Sequence, residues 1–174
     1  HWVDRVFDLS FHYKTKRGCL LGSPLVVTTN ELLGFYWSDV GLDGAVQKTL
    51  LDLQKRCLPH DVPMATDNGY WWICYDVYGN ELGFAGLTAS VRWADTGYLC
   101  RAGVVPSNRG HGIQKKLIRV RIKQAKALGW KWLITDTYRN PPSSNSLISC
   151  GFKLFDPSYL WGVRETLYWR KKID

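Results

Sequence analysis

Residues 104–114 hold the combination of residue types most able to do chemistry in this chain. Arg109, Gly110 and Gly112 stand there, directly before a long segment of periodic apolar residues. Backbone N–H groups in the first turn of a helix lack intrahelical partners and lie at the positive end of its dipole, so they can hold a phosphate. The two glycines leave room for that phosphate, and Arg109 adds a positive charge. The pattern predicts a phosphate-binding turn, although such glycines are equally typical of a tight turn that only connects a strand to a helix.

A strand, a helix and a second strand are predicted around this turn. The strands cover residues 98–105 and 132–136, and Gly129 is suited to end the helix between them. The apolar residues of the helix form two adjacent rows, which consist of Ile113, Leu117 and Val120 and of Ile118, Ile122 and Ala125. Two strands joined in this way must be parallel, with a right-handed crossover.

Further elements are predicted from apolar periodicity and turn residues. The predicted strands are residues 24–29, 70–75, 81–93, 152–155 and 163–170. The predicted helices are residues 31–37 with Asn30 as the cap, a helix capped by Asp43 in which Val46, Leu50, Leu53 and Cys57 recur, and residues 143–150. The sum is an α+β domain with a mixed sheet. We expect residues 1–174 to form a single domain, in which residues 1–22 add an extra strand or an arm.

The composition limits the classes of partner. The chain has 174 residues and 45% hydrophobic content, which suits one globular domain. A net charge of +8 favours an anionic partner, which is a nucleic acid, a membrane surface or a polyphosphate cofactor. No apolar run approaches the length of a membrane helix, so we expect no membrane. The five cysteines form no C-x-x-C pair, which argues against a disulfide framework or a metal site and favours the cytoplasm.

The turn resembles motif A of the GNAT N-acetyltransferases, R/Q-x-x-G-x-G/A. Arg109, Gly112 and Gln114 stand at its three defining positions, and Gln114 replaces the usual small residue. A Gln at this position either points away from the cofactor or donates its own amide to it.

A second stretch, residues 140–152, resembles motif B of the same superfamily, N-x-x-A/S-x-x-x-Y-x-x-x-G-F. The positions that correspond to its landmarks are Asn140, Ser143, Leu147, Gly151 and Phe152. Leu147 replaces the tyrosine of the motif. The two motifs occur in the expected order, separated by a helix and a strand.

The resemblance implies an α/β/α sandwich whose mixed, mostly antiparallel sheet contains a central splayed pair of parallel strands. It also implies acetyl-CoA as the acyl donor, bound between residues 98–105 and 132–136. Backbone groups of Val104 and Val105 would bind the pantetheine arm. The residues implied for the remainder of the cofactor are Arg109, Gly110, His111, Gly112, Ile113, Gln114, Lys115, Asn140 and Ser143.

The implied reaction is direct attack of an amine on the thioester within a ternary complex, which requires a base and an acid. We favour Asp136 as the base, at the end of the second splayed strand, followed by Glu81 and His111. The acid of this superfamily is usually the motif B tyrosine, and Leu147 cannot donate a proton. Tyr138 is the first substitute, although it also fits an ordinary loop aromatic, and Ser143 and Ser146 follow.

The acceptor is expected between residues 30–58 and the loop of residues 156–162, with Tyr159 and Trp161 as an aromatic wall or as ordinary core residues. A basic stripe on the central helix, residues 115, 119, 123 and 126, either is a solvated face or binds an anionic acceptor. An amine on a protein or an aminoacyl-tRNA is therefore weakly preferred over a polyamine. The expected assembly is a monomer or a homodimer. The competing hypothesis is a GNAT-fold module without catalysis that binds nucleic acid or a protein.

Overall fold

The computed structural model of the protein describes residues 31–36, 44–66 and 68–173. Several expectations lie outside these residues. They are the strand over residues 24–29, the extra strand or arm over residues 1–22, and the helix caps Asn30 and Asp43.

Within the described residues, strands and helices alternate along the chain. The strands are β1 Glu31–Tyr36, β2 Tyr70–Tyr75, β3 Glu81–Ala89, β4 Thr96–Tyr98, β5 Ala102–Val104, β6 Trp132–Tyr138, β7 Lys153–Leu154 and β8 Thr166–Lys172. The helices are α1 Gly44–Cys57, α2 Ile113–Ala127 and α3 Pro141–Ser149, and a 3₁₀ turn covers Pro106–Asn108. Helix α3 begins after Asn140, whose side-chain Oδ1 accepts a hydrogen bond from the Ser143 N–H at 3.1 Å.

The strands form one mixed sheet in the order β1-β2-β3-β4-β6-β8-β7, and β5 pairs with β3. Strands β4 and β6 are parallel and are joined through α2, whereas every other described pair is antiparallel. The predicted α+β class with a mostly antiparallel sheet and one central parallel pair is confirmed.

The sheet has helices on both faces because alternate residues of β2 enter two separate cores. Trp71 and Ile73 pack with α1, which contributes Leu50 and Leu53. Trp72 and Cys74 enter the other core, to which α2 contributes the buried residues Ile113, Leu117, Ile118 and Ala125. Since neighbouring residues of a strand point to opposite faces, the two cores lie on opposite sides of the sheet. This is the predicted α/β/α arrangement.

The helix predicted over residues 31–37 is wrong, because Glu31–Tyr36 forms strand β1. All six of its residues pair with β2 in antiparallel register, from Glu31 opposite Tyr75 to Tyr36 opposite Tyr70. Gly34 lies in the middle of this segment, where glycine weakens a helix. The backbone pairing available along β2 outweighed a short local helix.

Several predicted strands differ from the observed ones. The strand predicted over residues 132–136 continues to Tyr138, and the strand predicted over residues 163–170 covers Thr166–Lys172. The strand predicted over residues 98–105 is broken at residues 99–101 into β4 and β5, which pair with different neighbours. The strand predicted over residues 81–93 ends at Ala89. There the Ser90 hydroxyl accepts hydrogen bonds from the amides of Arg92 and Trp93, which turns the chain away from the sheet.

No helix in the described part of the chain is both long enough and apolar enough to cross a membrane.

Close packing at Gly103 of β5 yields a first prediction. A Cβ atom there would lie 2.5 Å from the Cys57 Cβ and 3.0 Å from the Phe84 ring. Gly103→Ala is therefore expected to lower the free energy of unfolding by about 1–3 kcal/mol, measured by urea denaturation. Gly44→Ala is the control, because a Cβ at Gly44 meets nothing within 4 Å. If both variants unfold at the same urea concentration, the close contact at Gly103 is not present in solution.

Candidate active site

The centre of the sheet contains a fork between β4 and β6. These strands pair over three residues, from Thr96 opposite Trp132 to Tyr98 opposite Ile134, and the Leu99 N–H donates to the Ile134 carbonyl at 2.9 Å. Beyond Leu99 the chain pairs only with β3, while β6 continues to Tyr138. The predicted splay of the two parallel strands is confirmed. We call this divergence the fork.

A cleft of about 520 Å³ opens at the fork. It is lined from the strand side by Tyr98, Leu99, Cys100, Arg101, Ala102, Thr135, Asp136, Thr137 and Tyr138. It is lined from the helix side by Leu58, Asp61, Gln114, Arg121, Asn140, Ser143 and Leu147. The Arg101 guanidinium is paired with the Asp61 carboxylate at this wall.

The β5 edge of the cleft presents backbone groups of Ala102. The Val105 N–H donates to the Leu82 carbonyl at 2.8 Å, and the Gly86 N–H donates to the Arg101 carbonyl at 2.9 Å. Backbone groups alternate in direction along an antiparallel strand, so residues 102 and 104 point away from β3. Ala102, which the sequence analysis missed, lines the cleft. Of the two residues expected at this edge, Val104 is not among the lining residues and its carbonyl accepts a hydrogen bond from Arg109, and the Val105 amide is already bonded.

The N-terminus of α2 is open at the end of the cleft. Gly110 and Gly112 have φ of 82° and 77°, values that glycine adopts without strain. A Cβ at either glycine would meet nothing within 4 Å, so open space lies above the loop. The first helical hydrogen bond runs from the Lys116 N–H to the Gly112 carbonyl at 3.1 Å, and no side chain caps the helix. The amides of residues 113–115 are therefore free of intrahelical partners and available to an anion.

Arg109 anchors this loop to its surroundings. Its Nε donates to the Val104 carbonyl at 3.2 Å, and its Nη2 donates to the Cys57 carbonyl at the end of α1 at 3.3 Å. The guanidinium thus ties the loop to β5 and α1. His111 is exposed, and its Nδ1 lies 3.2 Å from the Asn108 carbonyl.

Helices α2 and α3 meet along the cleft through polar side chains. The Gln114 Nε2 donates to the Ser143 Oγ at 3.3 Å, and both residues line the cleft together with Asn140. Gln114 stands where motif A usually has a small residue, and its side chain bonds to Ser143 of motif B. Leu147 also lines the cleft and is only 4% exposed, so no proton donor occupies that position.

Asp136 lies at the end of the cleft with its carboxylate fixed by two donors. The Tyr98 hydroxyl donates to Oδ1 at 2.7 Å, and the Trp161 indole Nε1 donates to the same oxygen at 2.8 Å. No described residue bonds to Oδ2, so this oxygen is available to a substrate. Burial, followed by the neighbouring Asp136 carboxylate, raises the pKa of Tyr98. Tyr98 is therefore a stable hydrogen-bond donor to Asp136.

Aromatic rings surround this carboxylate. Trp161 makes edge contacts with Trp93 and Tyr168, with ring centroids 5.8 and 4.4 Å apart. The Arg92 guanidinium lies over the Tyr159 ring at 4.9 Å and over the Trp161 ring at 5.3 Å. Trp161 thus lies beside Asp136, and Arg92 links it to Tyr159.

The other candidate acid–base residues lie in different places. Tyr138 lines the cleft at the end of β6 and is half exposed. Glu81 pairs with Arg56 at 3.4 Å and is not among the residues that line the cleft. The Ser146 hydroxyl donates to the Pro142 carbonyl of its own helix at 3.0 Å.

Arg121 is a cleft residue that the sequence analysis missed. It is 2% exposed, and desolvation by burial lowers its pKa to about 10, so it is still cationic at neutral pH. The signal was present in the spacing, because position 121 lies four residues after Leu117 and four before Ala125, on the buried face of the helix.

Comparison with protein families identifies the family to which the chain belongs. The model of the acetyltransferase (GNAT) family matches residues 45–152, which is more than half of the chain. The chain belongs to this family. It is accordingly an N-acetyltransferase, as its motifs indicated. A search of curated proteins gives no match.

Solved structures of acetyltransferases have the same fold. An IAA acetyltransferase from Bacillus cereus ATCC 14579 is 20% identical, with a TM-score of 0.63 over 83% of this chain and 99% of that chain. The ribosomal-protein-S18-alanine N-acetyltransferase from Escherichia coli is 14% identical, with a TM-score of 0.63 over 83% of this chain and 94% of that chain. A phosphinothricin acetyltransferase from Sinorhizobium meliloti, solved in complex with AcCoA, is 16% identical, with a TM-score of 0.65 over 83% and 89%.

The raised pKa of Tyr98 predicts its behaviour in alkaline solution. Its phenol should stay protonated at about pH 11, where exposed tyrosines ionise. A titration of phenolate absorbance in the native protein should therefore give the same amplitude for the wild type and for Tyr98→Phe up to that pH. In denaturant, the wild type should show one additional ionising tyrosine. A difference between the two native proteins would mean that Tyr98 is not shielded beside Asp136.

Proposed function

We propose that the protein transfers the acetyl group of acetyl-CoA to an amine by direct attack in a ternary complex. The observation that carries the proposal is the fork, whose cleft is lined both by Gln114 from the open first turn of α2 and by Asp136 of β6. When bound, acetyl-CoA supplies a thioester whose carbonyl carbon forms the new bond to nitrogen while the bond to sulfur breaks. The protein has to hold the donor, accept a proton from the amine and return a proton to the thiolate.

The residues of the fork fit such a donor. Amides of residues 113–115 at the positive end of α2 suit the diphosphate, and the positive φ of Gly110 and Gly112 keeps the approach open. The half-buried Lys115 and Lys116 add positive charge in the same turn. The arrangement supports assignment of the loop to the diphosphate, with Arg109 as the anchor of the loop.

The pantetheine arm would complete the sheet where β4 and β6 separate. Ala102 directs backbone groups into the cleft from one side, and Asp136 does so from the other by the same alternation along β6. An extended chain with amide groups pairs with such edges as an added strand does. Backbone N–H groups at this edge would also polarise the thioester carbonyl.

Asp136 is our candidate for the base. With Tyr98 and Trp161 both donating to Oδ1, Oδ2 is oriented for an incoming ammonium group, from which it takes the proton. Both donors are held by packing, because Trp161 contacts two other aromatic rings. Fixed orientation of this kind favours efficient proton transfer. Glu81 is engaged with Arg56 away from the cleft, which makes it the weaker candidate.

Tyr138 is our candidate for the acid that protonates the thiolate. It is the half-exposed phenol at the cleft wall, whereas Leu147 has no proton to give. The hydroxyls of Ser143 and Ser146 are engaged with Gln114 and with the Pro142 carbonyl. The phenol of Tyr138 has no such hydrogen bond among the described residues.

The acceptor is proposed to be an amine carried by a macromolecule, as on a protein or an aminoacyl-tRNA. The loop beside Trp161 exposes apolar side chains, with Tyr159 at 61%, Leu160 at 65% and Val163 at 66%. Exposed apolar groups next to a reaction centre are typical of contact with a larger partner. The net charge of +8 also favours an acidic partner.

Binding of the donor is tested by Gln114→Glu. The new carboxylate would lie in the first turn of α2, where it stabilises the helix but repels the diphosphate. We expect acetyl-CoA affinity to fall about tenfold or more by calorimetry, with an unchanged or higher melting temperature. Gln124→Glu, the same change near the other end of α2, should leave affinity within about twofold. Absence of acetyl-CoA binding by the wild type would instead favour the module without catalysis.

Asp136→Asn tests the base. The amide keeps the shape of the carboxylate but cannot take the proton, so kcat/KM should fall about 100-fold or more. The assay measures release of the CoA thiol with peptides that carry either a free N-terminus or a free lysine. Asp95→Asn, at an exposed carboxylate paired with Lys131, is the matched control and should keep full activity.

Tyr138→Phe in the same assay should lower kcat and leave KM for acetyl-CoA unchanged.

Activity of Asp136→Asn close to that of the wild type would move the base elsewhere. Activity of Tyr138→Phe close to that of the wild type would do the same for the acid. A wild type that releases thiol no faster with any amine than without one would contradict acetyl transfer to these acceptors.

A further inference from the structure

Two backbone carbonyls at the fork are bonded by side chains. The parallel pairing of β4 with β6 ends at Leu99, and the next residues have left the ladder. The Leu99 carbonyl accepts a hydrogen bond from the Thr135 Oγ1 at 2.9 Å, and the Cys100 carbonyl accepts one from the Arg121 Nη1 at 3.2 Å. In a continued ladder, the backbone N–H of Asp136 would donate to the Leu99 carbonyl. The Cys100 carbonyl would face β3, where the Gly86 N–H donates to the Arg101 carbonyl instead.

These side-chain bonds allow the strands to separate without leaving polar groups unsatisfied. A buried carbonyl without a donor is costly, which would favour closing the ladder. Because Thr135 supplies the donor to Leu99, the backbone N–H of Asp136 is not consumed at the fork. Arg121 supplies the donor to the Cys100 carbonyl, where the chain leaves β4. The edges formed by Asp136 and Ala102 are thereby left for a ligand.

Arg121 bridges three elements from beneath the cleft. Its Nε donates to the Leu117 carbonyl of its own helix at 2.9 Å, and its Nη1 donates to the Gly86 carbonyl of β3 and to the Cys100 carbonyl, both at 3.2 Å. Among the described residues no carboxylate pairs with it, and the residue is almost fully buried. Burial of an unpaired cation is costly, and an apolar side chain of similar length would fill this core at a lower cost. An arginine at this position is therefore expected to have a role other than packing.

We propose that Arg121, assisted by Thr135, is a positioning residue that holds the fork open for the pantetheine arm. The inference rests on the proposed binding of acetyl-CoA. On this proposal, the two side chains affect binding of the thioester half of acetyl-CoA and do not affect binding of its nucleotide half. Both residues line the cleft.

The nucleotide end is built by separate contacts. Arg109 fixes the loop through the carbonyls of Val104 and Cys57, and the helix starts with the bond from Lys116 to Gly112. Arg121 lies two turns further along α2 and contributes to none of these bonds. A change at Arg121 should thus affect one half of the ligand site.

The experiment compares two probes by calorimetry. Acetyl-CoA occupies the whole site, whereas 3′-phospho-ADP contains the nucleotide and diphosphate without the pantetheine arm. For Arg121→Met we expect acetyl-CoA affinity to fall about tenfold or more, to near that of 3′-phospho-ADP, whose own affinity stays within about twofold of the wild type. Arg121→Lys keeps the charge but lacks the planar fork of donors, so its affinity for acetyl-CoA should lie between the two.

A second variant covers the case in which Arg121→Met does not fold. Thr135→Val is nearly isosteric and removes only the hydroxyl that bonds to Leu99. It should weaken acetyl-CoA in the same selective way, by about threefold or more.

Two control variants separate positioning from general effects. Lys123→Met removes an exposed charge from the same helix and should change neither affinity. Ile173→Ala destabilises the core at the end of the chain, where Ile173 is 4% exposed, and should lower the melting temperature without altering the ratio of the two affinities.

The ratio of the affinities for the two probes decides the outcome. An unchanged ratio in Arg121→Met and Thr135→Val, with the wild type binding acetyl-CoA, would overturn the positioning role and leave the proposed function intact. Loss of affinity for both probes, in a variant that melts at no lower temperature than Ile173→Ala, would also overturn it. Failure of the wild type to bind acetyl-CoA would remove the proposed function itself.

Discussion

Parallel pairing between β4 and β6 lasts for three residues and then stops inside the sheet. Buried backbone groups require hydrogen-bond partners, so a sheet cannot open at its centre unless other donors and acceptors replace the lost ladder. In this protein the Thr135 hydroxyl replaces the lost donor on the β6 side. The Arg121 guanidinium bonds the Cys100 carbonyl at the break between β4 and β5, and β5 continues to pair with β3. The cleft, its free backbone edges and the position of Asp136 all follow from this opening.

Opposite charges surround the cleft, as the proposed acetyl transfer requires. The N-terminus of α2 and its two left-handed glycines provide a positive end without a capping side chain. One carboxylate oxygen of Asp136, which lines the cleft, is held by a phenol and an indole. In the proposed reaction the helix N-terminus would hold the polyanion, and the carboxylate would receive the ammonium group.

Much of this could be predicted from local sequence. The glycine turn, the helix after it and the parallel strands were predictable because each leaves a periodic or motif-level signal. The sequence placed Asp136 at the end of a strand that continues to Tyr138, and its role as the base stays a prediction. Arg121 was missed because basic residues on a helix are usually solvated, although its spacing from Leu117 and Ala125 placed it on the buried face. The helix predicted at residues 31–37 failed for a different reason. Residues 31–36 form a strand because they pair with β2, which is distant in sequence, and local propensity carries no information on that pairing.

The break between β4 and β5 was likewise invisible locally. Residues 98–105 have the composition of one continuous strand, and only the hydrogen bonds to Arg121 and Thr135 show where it divides. From the sequence, Tyr159 and Trp161 fitted either the acceptor site or the core. No local pattern predicts the hydrogen bond from Trp161 to Asp136.

The proposed acceptor wall is built from two surface loops, residues 90–95 and 156–165, whereas the proposed coenzyme cleft lies between strands of the sheet and α2. Surface loops tolerate substitution far better than the elements they connect. Side chains such as Leu160 and Val163 are exposed and contribute little to packing. On the proposed assignment, acceptor preference is free to diverge in evolution, or to be re-engineered by loop libraries, while recognition of the coenzyme stays constant.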